Sequence, residues 1–391
     1  MRSITLIPLL LVTFFNLSAQ SPDNNLSGLV TDSVSNRPLS GVSIFLNNTS
    51  KGTVSLADGS FLLKAIPRNK YQLILSAIGY QTAVIDINGD HLPSSLKVSL
   101  RQKVTELKAF VVEPEDKRGW QNWGKTFVDN FIGTTENAQS CTIRNIGTLH
   151  FYFYKKRNRL TVSASEPLVI ENAALGYILQ YKLESFSIDF NTHVVAYSGY
   201  PYFLEMTTTK EGRRRRWEAR REKAYAGSVM HFMRSLYADS LQQEKFIVKQ
   251  RAKLPNAEKR RVRSLFRPDS LLSDAYSPDT LHYYLETLRQ PDFETRVINA
   301  TSGSLLVALS DTSEIARDLR SNKEKPFSFD DSLAVSYPTW ESESQLRLVH
   351  SDIFVATENG SYFPPGSLLV QGTWSRTEKI ANLLPLDYRK H

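Results

Sequence analysis

Two residues of the sequence have the spacing of a metal-binding pair. His282 and Glu286 lie in the stretch 279-DTLHYYLETLRQ-290, and on a helix a spacing of four residues places both side chains on one face. Imidazole and carboxylate groups are zinc ligands, but a zinc site takes three or four protein ligands. We therefore predict no metal site and keep His282 and Glu286 as a candidate ligand pair without a third member.

Other residue types that could do chemistry are scattered. Cys141, the single cysteine, could act as a nucleophile only beside a histidine brought to it by the fold, and such cysteines are more often buried and inert. Acids such as Asp189, Glu205 and Asp352 could pair through space as hydrolase carboxylates. H-E-x-x-H, Walker, G-x-G-x-x-G and G-x-S-x-G motifs do not occur. We predict no catalytic residue and no cofactor, with a glycan- or peptide-acting hydrolase site in 141–391 as the alternative.

The most basic part of the chain is 211-EGRRRRWEARREK-223. One interpretation is an electrostatic contact with phosphate-bearing lipid or acidic glycan, with an interfacial tryptophan. The other is a solvated helix face whose arginines pair with Glu211, Glu218 and Glu222, which is the usual fate of charge runs. The candidate residues for anionic-surface binding are Arg213, Arg214, Arg215, Arg216, Trp217, Arg220, Arg221 and Lys223.

Length and composition limit the class of protein. The 391 residues, 41% of them hydrophobic, indicate a folded chain of two or three domains. One cysteine excludes an internal disulfide, and the net charge of +8 favours contact with anionic lipid or glycan.

The first nineteen residues are typical of a secretory signal peptide. Arg2 precedes an apolar core from 4 to 15, and Leu17-Ser18-Ala19 forms a cleavage motif. The apolar core is shorter than a membrane span needs, so an uncleaved anchor is the less favoured alternative. No cysteine stands at the cleavage point, so we expect an exported protein of the periplasm or outer membrane that is not a lipoprotein. Nucleic acid is excluded as a partner by export.

Seven short apolar runs separated by turn residues lie between residues 26 and 100, which predicts a β-sandwich. Asp58-Gly59 stands between the runs 52–56 and 60–66 and predicts a hairpin. The runs are 28-GLVTD-32, 41-GVSIFL-46, 52-GTVSL-56, 60-SFLLKAI-66, 71-YQLILSAI-78, 82-TAVIDI-87 and 96-LKVSL-100.

Three of these motifs occur in a recognisable order after the G-x-V-x-D of residues 28–32: 37-RPLSGVSIFL-46, 52-GTVSLADGSFLL-63 and 71-YQLILSAIGYQT-82. The region resembles the carboxypeptidase-regulatory-like domain. This is a transthyretin-like β-sandwich found at the N-terminus of bacterial envelope proteins, including TonB-dependent outer-membrane transporters. The resemblance implies an appendage or adaptor that brings no catalytic group.

After a linker at 101–116, the pattern predicts a mixed α+β domain over 117–391, dominated by antiparallel strands. It resembles an uncharacterised domain that occurs behind this module in bacterial envelope proteins. The chain is too short for the strands of a complete transporter. The elements expected are a helix at 117–132 with an aromatic packing face, a β-meander at 141–210, one helix within 211–241, a helix at 279–290, a hairpin at Asn359-Gly360 and a last helix at 376–384.

We therefore predict an exported, non-catalytic envelope protein with a binding or adaptor role at the periplasmic side of the outer membrane. Its partner would be an envelope protein or an anionic lipid or glycan surface. A third alternative, besides the hydrolase, is an accessory subunit of an outer-membrane transporter. The sequence leaves the oligomeric state open.

Overall fold

The computed structural model describes residues 24–103, 114–266, 276–309 and 313–390. The predicted signal peptide (1–19) and most of the predicted linker (101–116) lie outside these ranges. Within them, no helix combines the length and hydropathy needed to cross a membrane. The chain is mostly strand with some helix, as the sequence predicts.

The N-terminal module is a β-sandwich, as predicted. In one sheet β1 lies between β4 and β7, and in the other the order is β3-β2-β5-β6. Alternate residues such as Leu26, Ile44 and Leu73 are fully buried between the two sheets. The strands are β1 (Leu26–Asp32), β2 (Ser43–Leu46), β3 (Gly52–Val54), β4 (Ser60–Leu63), β5 (Lys70–Ser76), β6 (Ala83–Asn88) and β7 (Leu96–Leu100).

The turn at Asp58-Gly59 joins the two sheets and does not close a hairpin. β3 pairs with β2, whereas β4 pairs with β1, so the strands on either side of the turn belong to different sheets. The Asp58 carboxylate accepts hydrogen bonds from the backbone N–H (3.0 Å) and hydroxyl (2.6 Å) of Ser60. The hairpin prediction was wrong because turn residues determine only the local reversal, while burial of Phe61 and Leu63 decides which sheet β4 joins.

The downstream region begins with helix α1, which packs on an antiparallel sheet. The sheet has the order β8-β11-β12-β10-β9, and β13 pairs with β12. The predicted aromatic stripe of α1 is a packing face: Phe127 and Phe131 are fully buried, and Trp123 stacks on Phe153 at 4.8 Å. The elements are α1 (Gly119–Phe131), β8 (Cys141–Ile143), β9 (Leu149–Tyr154), β10 (Arg159–Ala164), β11 (Leu168–Asn172), β12 (Tyr177–Asp189) and β13 (Val194–Glu205).

A second core forms around Phe232 and Trp374. It lies against a sheet ordered β15-β14-β17-β18-β21 and a smaller one ordered β16-β19-β20. The predicted hairpin at Asn359-Gly360 joins β19 to β20. The elements are α2 (Glu211–Tyr225), α3 (Val229–Tyr237), β14 (Ile247–Pro255), α4 (Ala257–Leu265), α5 (Pro278–Arg289), β15 (Phe293–Asn299), α6 (Ser302–Leu305), α7 (Glu314–Ser321), β16 (Glu324–Phe327), β17 (Ser332–Ser336), β18 (Ser344–Leu348), β19 (Phe354–Thr357), β20 (Tyr362–Phe363), β21 (Leu368–Gly372) and α8 (Thr373–Thr377).

The single helix predicted within 211–241 is two helices, α2 and α3. Gly227 breaks it at φ +77°, a conformation that side chains other than glycine resist. A Cβ at this position would also lie 2.8 Å from the rings of Tyr337 and Trp340. Ser228 then caps α3 by accepting a hydrogen bond from the backbone N–H of His231 at 3.0 Å. The helical spacing of apolar residues continues from α2 into α3, so the sequence pattern did not reveal the break.

The last predicted helix, 376–384, is also shorter than expected. Helix α8 ends at Thr377, and a 3-10 turn comes next at Ile380–Asn382.

The C-terminal segment 385–390 lies between the N-terminal module and the downstream region. Leu386 joins the core of the module, and its backbone N–H donates to the carbonyl of Asn48 at 2.6 Å. The Asp387 carboxylate accepts hydrogen bonds from the backbone N–H (3.0 Å) and hydroxyl (2.5 Å) of Ser50. The end of the chain is therefore attached to a turn near its beginning. The predicted domain bounds, 26–100 and 117–391, stay predictions.

On its other side the same segment is held by Arg234 of α3. The guanidinium donates hydrogen bonds to three backbone carbonyls: Asn359 at 2.9 Å, Leu386 at 3.0 Å and Tyr388 at 3.1 Å. It also lies over the ring of Tyr225, 5.4 Å from the centroid. A planar fork of N–H donors suits three separate carbonyls in a way that a lysine ammonium does not.

Replacing Arg234 with lysine should lower the free energy of unfolding by about 2 to 3 kcal/mol, because two or more partly buried carbonyls lose their donor. Urea denaturation followed by circular dichroism measures the change. Arg213→Lys on the exposed face of α2 is the matched control, and we expect it to change stability by less than about 0.5 kcal/mol. Equal stability of the two variants would contradict the role given to Arg234.

Candidate functional site

Helix α2 carries all eight residues of the predicted anionic-surface site, and Trp217 fixes its position. The indole is buried, and its Nε1–H donates a hydrogen bond to the carbonyl of Ala173 at 2.9 Å. Gly176 lies under the indole at φ +70°, where a Cβ would come within 2.3 Å of the ring. The structure therefore places Trp217 in the interior as an anchor for α2, and not at the surface where the lipid interpretation requires it.

Arg221 also faces inward. Its side chain is 14% exposed, lies over the ring of Tyr177 at 3.9 Å, and donates to the Leu175 carbonyl at 2.7 Å. It pairs with the Glu205 carboxylate at 2.9 Å. Burial raises the pKa of Tyr177 above its usual range, so the phenol stays neutral beside the guanidinium. Arg221 thus holds α2 against the sheet and is not free to bind a ligand.

Arg214 and Arg215 face the carboxylates of their own helix. Arg214 lies 2.7 Å from Glu211 and 3.1 Å from Glu218, and Arg215 lies 3.6 Å from Glu211. The hydrogen bond from Arg214 lowers the pKa of Glu211. These i,i+3 and i,i+4 pairs are those of a solvated helix face. For these two arginines the contacts match the alternative interpretation.

The other four candidates form a row, which we call the cationic stripe: Arg213, Arg216 and Lys223, which are exposed, and Arg220, which is half-buried. Their spacing of three, four and three residues places them along one side of the helix. The carboxylate of Glu136 is shared by Arg220 at 3.3 Å and Lys223 at 3.4 Å. No ion pair to Arg213 or Arg216 is formed within the described ranges, although the Arg216 Nε–H donates to the carbonyl of Gly212. The stripe keeps a surplus of positive charge.

Glu136 is the residue of this site that the sequence did not indicate. It lies in the 3-10 turn Glu136–Ser140, more than eighty residues before its partners, so no local spacing connects them. Its side chain is 65% exposed, and pairs of this kind contribute little to stability. Its consequence is local: it neutralises one of the four charges of the cationic stripe.

A cleft of about 580 Å³ borders the opposite side of α2. Its guanidinium groups come from Arg215, Arg221 and Arg389. They are outnumbered by four carboxylates, and Arg221 is already paired. The cleft is therefore not an anion site, and the electrostatic argument applies to the cationic stripe alone. The carboxylates belong to Glu205, Glu218, Glu222 and Asp387.

The candidate metal pair lies on α5 as expected, and no third ligand joins it within the described ranges. Glu286 pairs with Arg289 at 2.6 Å. No group of three or more histidine, cysteine or acidic side chains is close enough to hold a metal ion in the part of the chain that the structure describes. His282 and Glu286 therefore stay an incomplete pair.

The carboxylates proposed for a hydrolase do not meet. Glu205 pairs in register with Tyr177 and Asp189 with Val194, at opposite ends of the β12–β13 ladder. Twelve residues of strand separate the two positions, roughly 40 Å at the usual rise. Asp189 is held by Arg159 at 3.0 Å, and Asp352 is exposed in the loop before β19. These acids do not form a catalytic pair with one another.

Comparison with known proteins identifies the first module. Residues 26–112 match the family model of the CarboxypepD_reg-like domain, which confirms the resemblance drawn from the sequence. The chain therefore carries this domain at its N-terminal side, with a further domain behind it. A search of curated proteins finds no significant match.

Likenesses to solved structures are distant. The pilus 2b backbone protein of group B streptococcus shares 17% identity over 24% of this chain and 48% of that one, with a TM-score of 0.18. A cohesin–X-dockerin complex of Acetivibrio cellulolyticus shares 16% identity over 19% of this chain and 51% of that one, with a TM-score of 0.16. The chain thus spans about half the length of either. A membrane-associated protein of unknown function from Bacteroides fragilis shares 9% sequence identity over 85% of this chain and 93% of that one, with a TM-score of 0.16. Scores this low support no conclusion.

Cys141 should react slowly with thiol reagents in the native protein. The thiol is half-buried, its S–H donates to the Asn137 carbonyl at 3.4 Å, and burial raises its pKa to about 12. Because the thiolate is the reactive form, we expect labelling by Ellman's reagent at pH 8 to be at least about a hundredfold slower than in guanidinium-unfolded protein. Equally fast labelling of both states would show that the thiol is accessible and ionised.

Proposed function

We propose that the protein is an exported, non-catalytic envelope protein that works by binding, as an adaptor at the periplasmic side of the outer membrane. The observation that carries the proposal is the cationic stripe: four cations along one side of α2, three of them exposed, with Glu136 as the carboxylate beside them. The N-terminal domain supports it, because the resemblance of this domain implies an appendage with no catalytic group of its own.

The proposed ligand is an anionic lipid or glycan surface, with an anionic envelope protein as a partner of the same chemistry. Trp217 has no part in this contact because it is buried under α2. The contact is electrostatic and peripheral. Its strength should therefore depend on the number of exposed cations and fall with salt.

Neutralising the unpaired part of the stripe with Arg213→Gln and Arg216→Gln should weaken binding to phosphatidylglycerol vesicles by roughly 30-fold at low salt. This estimate rests on about 1 kcal/mol for each basic residue near an anionic surface. Vesicle sedimentation at two salt concentrations measures the loss, and the difference between variant and native protein should shrink as salt rises.

The matched control removes the same net charge elsewhere: Arg214→Gln with Arg261→Gln. Arg214 pairs with Glu211 and Glu218, and Arg261 pairs with Glu258 on α4. We expect this control to bind vesicles within about threefold of the native protein. Glu136→Gln should strengthen binding, since it removes the carboxylate from the stripe. Equal losses in the two double variants, or no loss in either, would rule out the stripe as the contact.

A further inference from the structure

A cavity of about 400 Å³ lies where the N-terminal module meets the downstream region. The module contributes Asn47, Asn48 and Tyr71, helix α3 contributes Met230, and the segment after α8 contributes Leu386. This volume is within the range of small-molecule sites, which occur preferentially at the junctions between domains. The cavity shares no lining residue with α2.

The walls are mostly apolar. Apolar side chains from α3, from β21 and from the chain after α8 line the cavity, together with two aromatic rings of β20. The apolar residues include Val229, Met230, Leu368 and Leu383, and the rings are those of Tyr362 and Phe363. Such walls suit the hydrocarbon part of a ligand, while the ring of Phe363 is already occupied by the ammonium of Lys70, 5.5 Å from its centroid.

One polar group in these walls is the carboxylate of Glu378. The side-chain oxygens of Asn47 and Asn48 lack hydrogen-bond partners in the described part of the chain, but they are sealed from solvent and take no part in the contact. Glu378 has the backbone N–H of Val229 as its donor, and it makes no ion pair with a described residue. A carboxylate removed from water without a cation beside it costs free energy, so a cationic ligand would supply the ion pair that the described residues do not form.

The charges in the lining of the cavity also favour a cationic ligand. Lys70 is the cation in the lining, and it is already paired with Glu324 at 3.2 Å. This leaves the Glu378 carboxylate uncompensated. Burial raises the pKa of Glu378 to about 7, so that the carboxyl is poised between its neutral and charged forms near neutral pH. A cation beside it would favour the charged form.

We propose that this cavity binds a small organic ammonium ion with an apolar body. The ammonium group pairs with the carboxylate of Glu378. The apolar body lies against Met230 and Leu383. The site is independent of the proposed adaptor function, because the cationic stripe lies on another part of the molecule and recognises the opposite charge.

Three probes of the same shape and different charge test the proposal by isothermal titration calorimetry on the full chain at pH 8. The probes are benzylammonium, benzyl alcohol and benzoate. We expect benzylammonium to bind at least about tenfold more tightly than benzyl alcohol, and benzoate to bind more weakly still, since pairing with a desolvated carboxylate discriminates by charge. Equal binding of all three, or no binding of benzylammonium, would overturn the proposal.

Glu378→Gln keeps the shape of the side chain and removes its charge. It should weaken benzylammonium binding by about tenfold or more and leave benzyl alcohol binding unchanged. The matched control is Glu358→Gln, an exposed residue of the nearby β19–β20 turn outside the lining, which should change neither. An undiminished affinity in Glu378→Gln would exclude the carboxylate. Should this variant fail to fold, the comparison of the three probes on the native chain still tests whether the cavity prefers a cation.

The pH dependence separates Glu378 from its neighbours. Tyr197 and Tyr362 interact with it, Lys70 and Tyr71 line the same cavity, and Lys379 follows it in sequence. Burial raises the pKa of the three tyrosines, which stay neutral, and lowers that of Lys379. From pH 6 to pH 8 the affinity of the native chain for benzylammonium should rise roughly tenfold as a carboxyl with a pKa near 7 ionises. Any contribution of the lysines appears equally in Glu378→Gln. A rise of the same size in that variant would contradict the assignment.

Discussion

The structure depends on one short segment being held from two sides. Leu386 and Asp387 attach the end of the chain to the turn around Asn48 and Ser50 in the first module. The guanidinium of Arg234 fixes the same segment from the downstream side through the carbonyls of Leu386 and Tyr388, and it also donates to the carbonyl of Asn359 in the β19–β20 turn. A further contact, in which Phe45 stacks on Tyr202 at 5.3 Å, lies beside it. The CarboxypepD_reg-like domain is therefore packed against the downstream region and is not a separate module on a tether.

The tertiary structure also divides the basic residues of α2 into groups with different roles. A run of seven basic residues looks uniform in sequence, but α2 has an inner side, a paired side and an open side. Trp217 and Arg221 face inward and position the helix, and the arginine–glutamate pairs occupy the side along the cleft. The cationic stripe is the open side, and it is the contact that we propose for an anionic surface. Net charge alone would have overstated the number of residues available for binding.

The same attachment creates the cavity at the junction. The two surfaces meet there without filling the space between them, and the carboxylate of Glu378 lies in the lining without an ion pair to a described residue. Interiors are otherwise close-packed, and buried charges are normally paired. The proposed ligand fills this space, and the carboxylate indicates its charge.

The sequence by itself determined the local order of the chain. The alternation of Val42, Ile44 and Leu46, the aromatic stripe of α1 and the Asn359-Gly360 turn are recorded in neighbouring residues, so the strands, the helix and the hairpin were predictable. The family of the first module was recognisable from the same short motifs. Tertiary structure alone decided which element meets which: the sheet that β4 joins, the inward direction of Trp217, the pairing of Glu136 with α2, and the cavity around Glu378. These arrangements depend on contacts between residues tens to hundreds of positions apart, and local periodicity carries no information about them.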